Sequence, residues 1–216
     1  MTFVISFINQ MNRQFGPGIL LPLLLGKYRE PREEQRMFMF MDMKSSTTHA
    51  ERLGHLKYSA LVRDCFLDIN SVLSRHHAEI YQYVGDEIVL SWSFVEGLHN
   101  NTCIEFYFAC QQQLSERRPY YIKEYGFLPE FKAGLHLGVV TAVEVGEVRR
   151  NIAYHGDTLN TASRIQSLCG QYDKTFLISR DVQVVIALKE KYKVRPLGHI
   201  SLKGKDQPVE IFSVDK

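Results

Sequence analysis

Residues 79–92, EIYQYVGDEIVLSW, form the stretch on which the fold turns. Two apolar runs, Glu79–Val84 and Glu87–Trp92, are separated only by Gly85-Asp86, and two turn-forming residues between strand-like runs signal a tight β-hairpin. The turn presents Asp86 at a strand end. Upstream, the apolar run Met37 to Asp42 also ends in an acid, and the cluster Ser45 to Thr48 follows it as a helix-start signal. That helix is expected to break near Gly54 and to continue from Tyr58 to His76, where Leu61, Cys65, Leu67/Asp68 and Val72 recur at helical spacing. Downstream, the pattern predicts a helix over about His99–Tyr125. Strands follow at Phe131–Gly138 and Val139–Val145, joined near a glycine, with a brief one at Ile152–His155. A helix over Thr158–Cys169, a strand at Thr175–Ser179, a helix over Arg180–Lys189 and closing strands near Tyr192–Leu202 and Val209–Val214 complete the reading.

The order strand, helix, hairpin, helix, strand is a split βαβ, ferredoxin-like core of the α+β class, with a mostly antiparallel sheet and helices packed on it. Many unrelated functions use this core, so function must come from particular residues. No internal repeat or low-complexity tract interrupts it.

Composition removes several classes. With 216 residues, 45% hydrophobic and 23% charged, the chain is long enough for one core that needs no staples. Its formal net charge of +2 gives no broad field for nucleic acid, so no nucleic-acid partner is expected and any anion must be bound locally. Cys65, Cys103, Cys110 and Cys169 are scattered without a CxxC pair, which suits buried thiols in a reducing, cytoplasmic compartment. The opening lacks a secretory signal, and the apolar run Ile19–Leu25 is broken by Pro22, far short of the roughly 20 residues of a membrane helix. Residues 1–36 read as a lead-in or connector, and residues 37–216 as the functional domain.

In the split βαβ arrangement Asp42 and Asp86 meet at one end of the sheet. Hard divalent ions take a few carboxylate oxygens plus substrate phosphates and water, so the pair is a candidate metal site, against readings of Asp42 as a helix N-cap and Asp86 as a plain turn residue. Backbone amides and hydroxyls of Met43-Lys44-Ser45-Ser46-Thr47 could cradle a polyphosphate or could simply cap a helix. Asn160 and Arg164 are four apart, so on a helix they share a face; they could bind a ribose oxygen and phosphoryl charge, or lie on the surface. Lys203-Gly204-Lys205 could hold terminal phosphates or form a basic turn.

The segments FMFMDMKSSTTHAERLG, YQYVGDEIVLSW, FKAGLHLGVVTAVEVGEV, YHGDTLNTASRIQ and LKGKDQPVEIFSV together resemble, in order and spacing, the signature blocks of class III adenylate and guanylate cyclases. The resemblance covers about Met37 to Val214. It implies that Asp42 and Asp86, with the Met43 carbonyl, bind two Mg²⁺ or Mn²⁺ ions. It also implies that Asn160 orients the ribose, Arg164 stabilises the transition state and Lys203 holds terminal phosphates, with Ser45, Ser46 and Thr47 in the phosphate loop. In such enzymes the metal acids and the Asn/Arg pair come from different subunits, which implies a head-to-tail homodimer with two shared sites acting on a nucleoside triphosphate. Related cyclases often carry membrane or sensor domains upstream, so tethering at the cytoplasmic face of a membrane is a further expectation.

Base choice in the family depends on positions occupied here by Gln82 and Ala153. Adenylate cyclases typically place Lys with Asp or Thr there, and guanylate cyclases Glu with Cys; Gln82 and Ala153 match neither set, and His155 is a candidate to compensate. Ser45-Ser46 replaces the usual Gly-Phe after the first aspartate. ATP is the first expectation and GTP or a pyrimidine triphosphate the alternative. A catalytically inactive nucleotide-binding dimerisation module is the competing class, and a cyclic dinucleotide synthase lacks its Gly-Gly hairpin here.

Overall fold

The structure, a computed structural model, describes residues 25–147, 150–187, 190–205 and 207–216. Most of the lead-in, residues 1–24, and the end of the expected 180–189 helix therefore lie outside the described residues. In chain order the elements are β1 (Arg32–Met43), α1 (Ser46–Leu73), β2 (Glu79–Val84), β3 (Glu87–Ser93), α2 (Phe94–Leu98), α3 (Thr102–Glu116), α4 (Arg118–Tyr125), β4 (Phe131–Val145), β5 (Asn151–His155), α5 (Asp157–Gln171), β6 (Phe176–Ser179), α6 (Arg180–Gln183), β7 (Lys193–Ile200) and β8 (Val209–Asp215). The strands form one eight-stranded sheet in the order β2-β3-β1-β4-β6-β8-β7, with β5 paired to β4 off this path. The half β2-β3-β1-β4 is antiparallel throughout, the split βαβ order, and β4 with β6 is a parallel pair.

β1 runs through the centre of that half, and its alternating side chains serve both faces. Met37, Met39, Met41 and Met43 pack with Leu61, Cys65 and Ile69 of α1 and Phe106 and Cys110 of α3. Each such fully buried methionine contributes about 1.5–3 kcal/mol of burial. Phe38 and Phe40 point to the opposite face, against Val89, Val140 and Ala162 of α5. Asp42 continues this second row.

Four of the differences from the sequence reading have a clear local reason. β1 begins at Arg32 rather than Met37, because residues 32–36 pair with β4 along Ala142 to Gly138. β4 is one continuous strand of 15 residues instead of two joined at a glycine. Gly138 makes room for α5: a Cβ there would lie 2.4 Å from Thr158 Oγ1. The 99–125 helix is divided at Arg117 (φ −91°, ψ 10°), and Pro119, which has no N–H to donate, sits in the first turn of α4. α6 stops at Gln183, where Val184, Val185 and Ile186 supply a β-branched run that favours helix poorly. The expected break in α1 is present, at Gly54 (φ 74°, ψ 164°).

Candidate active site

Gly85 and Asp86 form the two-residue β2–β3 turn, with Val84 and Glu87 paired across it and Gly85 at φ 62°, as a primed hairpin turn with glycine first requires. Asp42 lies opposite Glu87 on β3 and Lys132 on β4, so three acids gather at one end of the sheet. Lys132 Nζ lies 3.3 Å from Asp42 Oδ2, and Gln166 Nε2 of α5 donates to the same oxygen at 3.3 Å. Burial, and next the charge of Asp86, push the Asp42 carboxyl up against the pull of Lys132. Burial and then the charges of Asp42 and Asp86 push Glu87 up to about 7. Tyr58 is pushed up to about 12, by burial first and then by Asp86.

Asp86 Oδ2 is enclosed yet accepts no hydrogen bond among the described residues. An orphaned carboxylate oxygen beside a second acid is costly unless something positive completes it. Among the described residues no three His, Cys, Asp or Glu side chains converge to hold a metal by themselves. Asp42 and Asp86 could serve as the one or two carboxylates of a hard divalent ion whose remaining oxygens come from phosphate and water. The alternative reading of Asp42 as a helix cap does not hold, since Ser45 occupies the N-cap of α1.

Ser45 sits there with φ 59° and its side chain makes no capping hydrogen bond. Its hydroxyl, that of exposed Thr47 and that of half-buried Ser46 border the first turn of α1, whose leading amides have no intrahelical partner. Met43 ends β1 opposite Phe131, and the Lys44 amide donates to the Glu130 carbonyl at 2.8 Å, which fixes the loop to the sheet.

Helix α5 lies directly on β4 because two glycines remove the obstacle. A Cβ on Gly134 would approach the Gln166 backbone nitrogen to 2.2 Å, and Gly138 likewise clears Thr158, whose hydroxyl donates to the Val139 carbonyl at 2.7 Å. Thr158, Thr161, Ala162, Ile165, Gln166 and Cys169 are the buried residues of α5. Asn160 is exposed and Arg164 half-buried, four apart on α5, and Gly204 of the Lys203–Lys205 turn packs against the Arg164 guanidinium. The structure therefore brings Asp42 to Asp86, and Arg164 to the Lys203–Lys205 turn. Among the described residues no hydrogen bond or ion pair joins these two sets within the chain; the α5 side chain that reaches Asp42 is Gln166.

Gln82 is exposed beside a bulge in β2 between Ile80 and Gln82, while Ala153 is half-buried and His155 exposed on β5. Their neighbours touch: the Tyr81 and Tyr154 rings are 5.3 Å apart, and the Tyr154 amide donates to Tyr81 Oη at 3.5 Å. The base-reading candidates thus stand on adjoining elements. Sequence reasoning missed Lys132 and Gln166, which meet Asp42 through sheet register and long-range packing and carry no local signal.

The family model described as the adenylate and guanylate cyclase catalytic domain matches residues 29–215. Adenylate cyclase 2 of Rhizobium meliloti is 31% identical over 97% of this chain, and guanylate cyclase 2D of Rattus norvegicus is 25% identical over 90% of it. The chain spans 58% and 18% of those two proteins' lengths. The crystal structure of the adenylyl cyclase CyaB from P. aeruginosa superposes with a TM-score of 0.74 at 20% identity, over 87% of this chain and 96% of that one.

Proposed function

The chain belongs to the class III adenylate and guanylate cyclase catalytic-domain family, and on that premise we propose that it converts a nucleoside triphosphate, ATP first, into the 3′,5′-cyclic monophosphate and pyrophosphate. The observation that carries the reading is the acid pair at the sheet end, with Asp86 Oδ2 unpartnered and the Asp42 carboxyl pushed up by burial and by its neighbour. Asp42, Asp86 and the Met43 carbonyl would hold two Mg²⁺ or Mn²⁺ ions. When bound, these ions lower the pKa of the ribose 3′-hydroxyl and neutralise phosphate charge.

The leading amides of α1, with Ser45, Ser46 and Thr47, and Lys203 hold the polyphosphate. Asn160 fixes the ribose so that its 3′-oxygen lines up with the α-phosphorus. As the new O–P bond forms, the bond from that phosphorus to the oxygen bridging it to the β-phosphate breaks. Pyrophosphate leaves and the hydroxyl proton passes to solvent. Arg164 meets the charge that develops on the phosphoryl oxygens. No side chain is assigned as general base.

Two copies arranged head to tail complete each site. Support comes from the separation described above: Asn160 is exposed and Arg164 Nη1 is enclosed without a hydrogen-bond partner, while Asp42 is met by Gln166. We assign the reaction to the cytoplasm, free or beneath an upstream membrane or sensor domain. All four cysteines are free and buried, and no helix among the described residues is long and apolar enough to cross a membrane.

Base identity rests on Gln82, Ala153 and His155. Gln donates and accepts and Ala does neither, so a guanine or pyrimidine base is the second reading. Incubating the purified chain with Mn²⁺ and each of the four triphosphates separately tests both. Cyclic AMP as the main product supports the first; cyclisation of GTP, UTP or CTP alone transfers the assignment to that base. No turnover from a verified dimer points to an inactive regulatory module.

A further inference from the structure

Asp157 opens α5, and three groups converge on its carboxylate. Oδ2 lies 2.8 Å from Lys205 Nζ and accepts the Thr161 hydroxyl at 3.2 Å, while Oδ1 is 3.9 Å from Arg164 Nη1. The arginine distance is too long for a hydrogen bond, so Arg164 Nη1, although enclosed, makes none and meets Asp157 only as a long ion pair. Gly204 precedes Lys205 in the turn and packs against Arg164. A Cβ there would come within 3.3 Å of Arg164 Nη2, and the residue holds φ +74°, so the turn runs against the guanidinium through a position that suits glycine.

An acid in a first helical turn is favoured by the helix dipole alone. The dipole does not account for Lys205, which reaches Asp157 from the connection between β7 and β8. We propose that Asp157 is a positioning residue: its bond to Lys205 ties the Lys203–Lys205 turn to the start of α5, beside Arg164, and so holds Lys203 where the terminal phosphates of a triphosphate bind. The proposal rests on the cyclase reading above. Burial of Asp157 would raise its carboxyl, but the Lys205 hydrogen bond and charge hold it below the usual range, so the carboxylate is ionised at neutral pH. The Asp157 side chain is 54% exposed, and an ion pair so open to water contributes little to folding. Its removal should therefore register in substrate handling and leave the fold intact.

The test compares steady-state kinetics and thermal melting of Asp157→Asn, Lys205→Met, the double variant and Asp157→Glu, with the triphosphate that the wild-type chain cyclises. Each neutral single variant should raise KM about tenfold while kcat moves less than about threefold, and Tm should stay within about 2 °C. The double variant should be no worse than either single one, because both remove the same tether, and Asp157→Glu should recover most of the loss. KM within about twofold of wild type in Asp157→Asn, multiplicative effects in the double variant, or a collapse of Tm each overturn the positioning role. A wild-type chain that cyclises no triphosphate brings down the cyclase reading itself, and the proposal with it.

Discussion

Asp64 and Asp68 on α1 are each 4% exposed, and each is fully engaged. Asp64 Oδ2 accepts the hydroxyls of Tyr120 and Tyr125 at 2.6 Å and Oδ1 accepts from Arg63, while Asp68 is held by Tyr121 at 2.5 Å and Arg117 at 2.8 Å. Asp42 and Asp86 are less deeply buried and worse provided. Asp42 has one lysine and one amide on a single oxygen, and Asp86 Oδ2 has nothing. The first pair spends its hydrogen-bonding capacity inside the fold and fastens α4 to α1. The second keeps capacity in reserve, which a protein sustains where a ligand completes the site. Satisfaction of the oxygens, more than depth of burial, separates these two pairs.

The largest effect should come from exchanging the fates of the two pairs. Asp42→Ala should lower cyclase turnover at least about 10³-fold, because the metal charge and the positioned phosphates go together. Its Tm should hold or rise, since a repelled carboxylate is removed. Asp68→Ala should do the reverse: it strands the Tyr121 hydroxyl and leaves Arg117 unpaired, costing about 2–4 kcal/mol in denaturant unfolding, while the folded fraction keeps its specific activity. An Asp42→Ala chain that melts early, or an inactive but folded Asp68→Ala chain, would break the contrast.

A second effect, nearly as large, tests whether the reserved pair is completed by another copy. Asp42→Ala and Arg164→Ala chains should each be almost inactive, yet a mixture should regain about a quarter of wild-type activity, since random pairing makes half the dimers mixed and each mixed dimer has one intact site. No recovery from mixed dimers demonstrated by mass spectrometry would leave the shared site without support.

The two pairs were unequally legible in the sequence. Asp42 stands out because it closes an apolar strand run, and Asp86 because the Gly85-Asp86 turn fixes it at a strand end by its own chemistry. The break at Gly54 and the helical pairing of Asn160 with Arg164 were readable for the same local reason. The satisfied pair was not: Asp68 shared a helical position with Leu67 in the sequence pattern, yet the buried stripe runs through Asp68 and leaves Leu67 58% exposed. What buries Asp68 is Tyr121 and Arg117, supplied by the segment around α4, and no local pattern announces them. Gly138 misled in the opposite direction. It looks like a chain reversal, but its lack of a side chain serves the contact with Thr158 across the layer.

The smallest effect is the dependence of stability on pH, where the two regions carry opposite signs. Burial alone would raise the Asp64 carboxyl, but the hydrogen bonds from Tyr120, Tyr125 and Arg63 hold it below its ordinary 3.8, so its stabilisation is present above that pH and is lost as pH falls through the lower folded value. Glu87, beside the reserved pair, is raised from 4.5 to about 7, so the folded chain keeps a proton that the unfolded chain gives up, and stability is lost as pH rises through that window. His136, held down to about 4 by burial, pulls the other way as pH rises from about 4 towards its ordinary 6.5. The informative quantity is therefore the Tm of wild type minus that of Glu87→Gln, measured with chelator present. That difference should move against wild type between pH 4.5 and about 7 and then level off. A difference that stays flat across the window would mean that water already relieves the acids, and that the contrast between the two pairs is one of geometry without an electrostatic cost.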